Sequence, residues 1–223
     1  MTWFGVDPSG GMIAGAATTA VSLAMALFGE LRHEPRWIYL FKPLASLGFL
    51  IAAVSAGALE TTWGLAIFAG LCLSMVGDVA LMWRSAPAFL SGLAAFLLGH
   101  LAYAAAFVVR GVDADAALWA LLPLVGVAGG FTAWLMPHVA RKMRPPVVAY
   151  VVAITAMVAL SVGSHAAAAN LWLPVGAVLF FASDLSVAID RFVARRAANR
   201  LWGLPAYYAG QLVLASSVAA AIP

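Results

Sequence analysis

Long, nearly charge-free apolar stretches recur along this chain of 223 residues at almost regular intervals, and no other feature limits its fold so sharply. Each is long enough, at 1.5 Å per residue, to cross about 30 Å of hydrocarbon with some tilt. Inside lipid every backbone N–H and C=O has to be satisfied within its own segment, so stretches of this kind fold as helices. Helices are expected near residues 11–29, 43–59, 62–83, 87–109, 116–136, 146–163, 171–190 and 205–222. The intervals between them carry helix-ending punctuation: Glu30 to Arg36 with Pro35, Gly57 to Glu60, Arg84 to Pro87, Arg110 to Asp115, Pro137 to Pro146, Ser164 to Asn170, and Arg191 to Pro205. All are too short to hold a second domain. The expected fold is all-α: residues 1–223 form one polytopic membrane domain, a bundle of about eight transmembrane helices.

Composition agrees with lipid as the surrounding solvent. With 65% hydrophobic and 9% charged residues, the chain cannot supply the charged shell that a water-facing core of this size needs. The net charge of +3 invites a nucleic-acid reading, but the basic residues are confined to short connections, so no nucleic-acid partner is expected. Cys72 stands alone in an apolar run, which excludes a disulfide framework and a cysteine-based metal site and reads as a small buried hydrophobe. No Lys or Arg precedes the first apolar run and Asp7 does, unlike a secretory leader, so this run is read as a retained first helix.

The basic residues also set an orientation. The connections after helices 1, 3, 5 and 7 hold Arg32, Arg36 and Lys42; Arg84; Arg141, Lys142 and Arg144; and Arg191, Arg195, Arg196 and Arg200. Only Arg110 falls on the other side. Under the positive-inside rule both termini are non-cytoplasmic, in a multi-pass protein of the inner (plasma) membrane. Most of these basic groups need no role beyond topology and headgroup contact.

Against that background the ionisable groups inside the apolar stretches stand out. Placing an ionised Asp at mid-bilayer costs roughly 2.5–3.5 kcal/mol on insertion scales. Asp78 and Asp184 fall about one and a half turns inside the cytoplasmic ends of helices 3 and 7, and are expected to face the bundle interior or a wet cavity. The competing reading pairs Asp78 with Arg84 and Asp184 with Arg191 at the interface. Asp190, beside Arg191 at a helix end, is read as interfacial. Ser74-Met75-Val76-Gly77-Asp78 and Phe181-Ala182-Ser183-Asp184 form a short internal echo, too short to establish a duplication. His100 lies midway along helix 4 on one face with Phe96 and Tyr103, as a substrate group or an interhelical hydrogen bond. Tyr207, Tyr208 and Gln211 share one face of helix 8, though a tyrosine there also suits the interfacial aromatic belt. Lys42, with Pro43, opens helix 2 as a headgroup contact or a snorkelling anchor. His33, His138 and His165 fall in or near connections and suggest nothing specific. The polar members map to one membrane depth, the cytoplasmic half, as a lipid pocket requires.

The segments Lys42-Pro43-Leu44, Gly70 to Leu81 (GLCLSMVGDVAL), Phe96 to Tyr103 (FLLGHLAY), Gly176 to Ala188 (GAVLFFASDLSVA) and Pro205 to Gln211 (PAYYAGQ) resemble, in order, the YhhN-like membrane family. That family includes the lysoplasmalogenases, eight-helix enzymes that hydrolyse the vinyl ether bond of lysoplasmalogens. Gly99 departs from the pattern, since a Ser often precedes the helix 4 His. The resemblance implies an ether hydrolase that takes a lysophospholipid from the bilayer and releases a fatty aldehyde and a glycerophospho-headgroup. It implies Asp78 and Asp184 as the catalytic acid–base pair, the demand that glycosidases meet with two carboxyls. Substrate contacts are then expected from Lys42 to the phosphate and from His100, Tyr207, Tyr208 and Gln211 to water and the glycerol hydroxyl, with Ser74, Tyr103 and Ser183 alongside. No cofactor and no metal is implied. A metal-dependent membrane hydrolase would need His and Asp ligands, yet only His100 lies at a suitable depth and no HxxxH or HxxE spacing occurs. The rival from outside enzymology is a lipid transporter or lipid-binding protein.

Overall fold

The computed structural model describes residues 8–83 and 85–219. They form α1 (Gly10–Leu31), α2 (Pro35–Ser55), α3 (Thr62–Ala80), α4 (Ala86–Arg110), α5 (Ala114–Leu135), α6 (Arg144–Ala167), α7 (Trp172–Ala188) and α8 (Ala197–Ser216). Two short 3-10 turns join α5 to α6, and a π-helical turn, Ile189–Val193, extends α7. Among the described residues seven helices are long and apolar enough to cross a membrane. The eighth, α8, is 20 residues long and carries Asn199, Arg200, Tyr207, Tyr208 and Gln211 among its apolar residues. Arg84 and Asp7 lie outside the described residues, as does the end of the expected helix 8.

Two helix starts differ from the expectation. Helix α2 begins at Pro35 rather than near residue 43, and α8 at Ala197 rather than Pro205. Proline at the first helical position needs no N–H partner, which suits Pro35. Pro43 and Pro205 lie inside their helices, where packing against neighbours tolerates the missing bond. As a result Lys42 sits two turns into α2 instead of at its tip. Four other starts are capped by side chains: Ser9, Thr61, Ser85 and Asp113 accept hydrogen bonds from the amides of Met12, Gly64, Ala88 and Ala116. Each such cap contributes about 1 kcal/mol.

Helices adjacent in sequence pack as pairs, α1 on α2, α3 on α4, α5 on α6 and α7 on α8. Helix α8 also reaches α1, α2 and α3, while α4 rests on α6. Helix α6 is the most enclosed and α5 the least, with Leu118, Trp119 and Leu122 turned outward. A group of rings fills the centre: Phe96, Phe180 and Tyr207 meet pairwise at centroid distances of 5.5–6.0 Å. Close approach of α3 to α4 depends on two glycines, because a Cβ on Gly70 would strike the Tyr103 ring and one on Gly77 the Phe96 ring. Glu30, Trp83, Leu135 and Arg191, from the ends of α1, α3 and α5 and from the turn after α7, border a single cavity. The ends rich in basic residues are therefore gathered on one side of the bundle. Arg110 lies at the opposite end, bonded to Ser164 and Ala168 and 5.5 Å from the Trp63 ring.

Candidate active site

The cavity at the basic end holds about 920 Å³. Lys42, Asp78, Tyr150, Ser183, Asp184 and Tyr207 line it together. Both aspartates thus face one space from different helices, as an acid–base pair requires.

Asp78 of α3, 3% exposed, is held by two other helices, α2 and α8. Its Oδ2 accepts from Ser46 Oγ and from Tyr207 OH, each at 2.7 Å. Its Oδ1 lies 3.4 Å from Lys42 Nζ, which also donates to the Asp78 carbonyl at 3.3 Å. The positive charge is thus within reach of Asp78, but at a longer distance than the 2.7–2.9 Å or so of a close charge-assisted bond. Tyr208 OH donates to the Lys42 carbonyl at 3.2 Å, so α8 braces α2 at the point where Pro43 interrupts it. The interfacial pairing of Asp78 with Arg84 falls outside the described residues; among the described residues Lys42 supplies a cation.

Asp184 is held differently. Its Oδ2 accepts from Tyr150 OH at 2.9 Å and meets His100 Nε2 at 3.1 Å. Oδ1 carries neither bond. His100 is fully buried, 4.5 Å from the Phe180 ring and 5.0 Å from the Tyr150 ring, and its Nδ1 has no partner. A proton on Nε2 donates to Asp184 and places no N–H on the buried, unpartnered Nδ1. Arg191, the sequence alternative as a partner for Asp184, instead places its guanidinium 4.1 Å from the Phe89 ring.

Not every expected contact reaches the cavity. Tyr103, Gln211 and Ser74 are completely buried behind its wall. Tyr103 OH donates to Gln211 Oε1 at 2.5 Å, and Gln211 Nε2 donates to Ser74 Oγ at 3.4 Å, which pins α4, α8 and α3 together. They support the site as a satisfied network rather than by touching what fills it. His100 and Tyr208 likewise stand one layer back and act through Asp184 and Lys42. Ser183 borders the cavity with its hydroxyl bonded to the Phe180 carbonyl at 2.8 Å.

Two contributors escaped the sequence reading. Ser46 lies one turn beyond Lys42 on the same face of α2, a spacing that a search around Lys42 would have found. Tyr150 sits two turns into α6, where a tyrosine ordinarily reads as part of the interfacial belt. At the cavity mouth Arg200 bonds Glu30 at 2.5 Å and Asp190 at 3.2 Å, tying α8 to α1 and to the π turn. Asp190, expected at the interface, is thus held by Arg200. The deeper wall is apolar: Ala128, Phe131 and Leu135 of α5 face Val147, Val151 and Ile154 of α6. Among the described residues, no three His, Cys, Asp or Glu side chains converge as a set of metal ligands.

The chain is 32% identical over 186 residues to lysoplasmalogenase TMEM86A of Bos taurus, which covers 81% of this chain and 72% of that one. It is 31% identical over 192 residues to a lysoplasmalogenase of Mycobacterium tuberculosis, covering 82% and 70%. Mouse lysoplasmalogenase TMEM86B is 33% identical over 184 residues, covering 81% and 75%. No solved structure matches the chain. The YhhN family model matches residues 37–218, a span that contains both aspartates and all their partners, and the chain belongs to the YhhN family.

Proposed function

We propose that this protein is a lysoplasmalogenase that hydrolyses the vinyl ether bond of a lysoplasmalogen, with Asp78 and Asp184 as the acid–base pair. One observation carries the reading: a single cavity joins two carboxyls, Asp78 buried and Asp184 partly so, to an apolar wall on one side and a charged mouth on the other. A lysolipid has that composition along its length, and about 300–1,000 Å³ is the usual range for a small-molecule site. The alkenyl chain would lie along α5 and α6, the glycerophospho-headgroup toward the mouth, and the vinyl ether between the two aspartates. Lys42 lines the cavity and is proposed to meet the phosphate while remaining the countercharge of Asp78.

Purified protein is expected to release fatty aldehyde from lysoplasmenyl lipids with no added metal, and a chelator should leave the rate unchanged. Lipid binding with no aldehyde would instead identify a transporter or carrier. The mouth is proposed to face the cytoplasm, from the basic residues gathered there. In a Cys72→Ala background, cysteines placed at Arg36 and Arg144 should react only from the cytoplasmic side, and one at the exposed Asp113 only from outside. A label on the wrong side overturns that orientation.

A further inference from the structure

Both aspartates accept two hydroxyl or imidazole hydrogen bonds on one oxygen, yet their charge environments differ. Asp78 has an ammonium 3.4 Å from Oδ1. The groups that meet Asp184 are a tyrosine hydroxyl and a histidine ring, both on Oδ2. Lys42 offsets the charge that a carboxylate at Asp78 places in the apolar interior. Tyr150 and His100 occupy Oδ2 and leave Oδ1, the oxygen that neither of them engages, to meet the substrate.

From this geometry we infer that Asp184 is the general acid, that Asp78 is the resident carboxylate, and that Tyr150 is a positioning residue for the acid. This rests on the lysoplasmalogen reading and divides the labour within it. Asp184 Oδ1–H protonates the β-carbon of the vinyl ether: the π pair forms the new C–H bond, and the O–H pair remains on Asp184 as a carboxylate. The ether oxygen shares a lone pair with the adjacent carbon, giving an oxocarbenium ion beside the newly negative Asp184. Water then bonds through oxygen to that carbon and loses a proton to Asp78. The hemiacetal collapses when its C–O bond to glycerol breaks. Its hydroxyl proton returns to Asp184, and the proton held by Asp78 goes to the departing glycerol oxygen. One water is consumed and both aspartates return to their starting states. Tyr150 and His100 keep Oδ2 fixed, so only Oδ1 can present the proton.

Chemical rescue separates the two roles, because a small acid can replace a proton donor and a small anion can replace a carboxylate. Asp184→Ala is expected to regain activity with formic or acetic acid in proportion to the undissociated acid. Asp78→Ala is expected to regain it in proportion to the anion. Acid and anion concentrations are varied independently through pH and total buffer. Should Asp78→Ala fail to fold, the double variant Lys42→Met/Asp78→Ala removes the orphaned ammonium and serves instead. Tyr150→Phe should lower kcat by about tenfold with KM unchanged, as for an interaction that matters only in the transition state. Rescue of Asp78→Ala by the undissociated acid, or no acid rescue of Asp184→Ala in a cavity with room for formic acid, overturns the assignment. So does a Tyr150→Phe effect confined to KM. A wild-type protein that releases no aldehyde removes the underlying function itself, an outcome distinct from a reversed rescue pattern.

Discussion

Asp184→Asn is expected to lower kcat by about 10² or more while leaving the protein folded and inserted, because positioned acid–base groups contribute on that scale. The amide oxygen of the new side chain can take the place of Oδ2 and accept from Tyr150 and His100, so both hydrogen bonds to α7 survive. What disappears is the transferable proton. Asp78→Asn should reduce kcat by a similar factor but weaken the fold more, since it leaves the Lys42 ammonium buried without its countercharge. Steady-state kinetics on protein that passes size-exclusion chromatography in detergent checks both. If the two aspartates act as one unit, the double variant is little slower than the more damaged single. His100→Ala should cost less than either aspartate change, since it removes only one of two bonds fixing Oδ2. Near-wild-type turnover in Asp184→Asn would return that residue to a structural role, and unfolding would show that it holds α4, α6 and α7 together.

Much of this architecture is legible in the sequence because lipid enforces it. A charge in an apolar run is costly whatever the helix packs against, so Asp78 and Asp184 declare themselves without knowledge of their neighbours. Both line the same cavity. What the sequence does not reveal is which polar residues face the cavity and which stand behind its wall. Tyr103, Gln211 and Ser74 look like site residues by chemistry, yet they satisfy one another out of reach of the cavity. Their burial depends on how α3, α4 and α8 are rotated, which hydropathy does not encode. Helix starts fail at prolines for a related reason: Pro43 and Pro205 resemble boundaries locally, while the bundle carries both inside continuous helices. The Arg200–Glu30 bond joins residues 170 positions apart, and only the fold brings them together.

Lys42→Met tests the other large effect, and the ion pair makes it a test of stability as well as of binding. Removing one partner of a buried pair leaves the other uncompensated, a loss of about 3–5 kcal/mol. Lys42 is 9% exposed and Asp78 3%, so little solvent is available to replace the missing charge. If Asp78 responds by taking up a proton, the resident carboxylate is lost and kcat falls with it. If Lys42 also meets the substrate phosphate, KM rises at the same time, because a headgroup contact serves ground and transition states alike. The decisive comparison is Lys42→Met/Asp78→Asn, in which neither charge remains. That variant should unfold at higher temperature than Lys42→Met alone, since two neutral side chains of nearly native volume replace an orphaned carboxylate. It should also remain as inactive as Asp78→Asn. A double variant no more stable than the single would show that Lys42 contributes through its stem packed against α2 and α3 rather than through its charge. An unchanged KM in Lys42→Met, with kcat reduced, would leave Lys42 as the countercharge of Asp78 and move the phosphate elsewhere at the mouth.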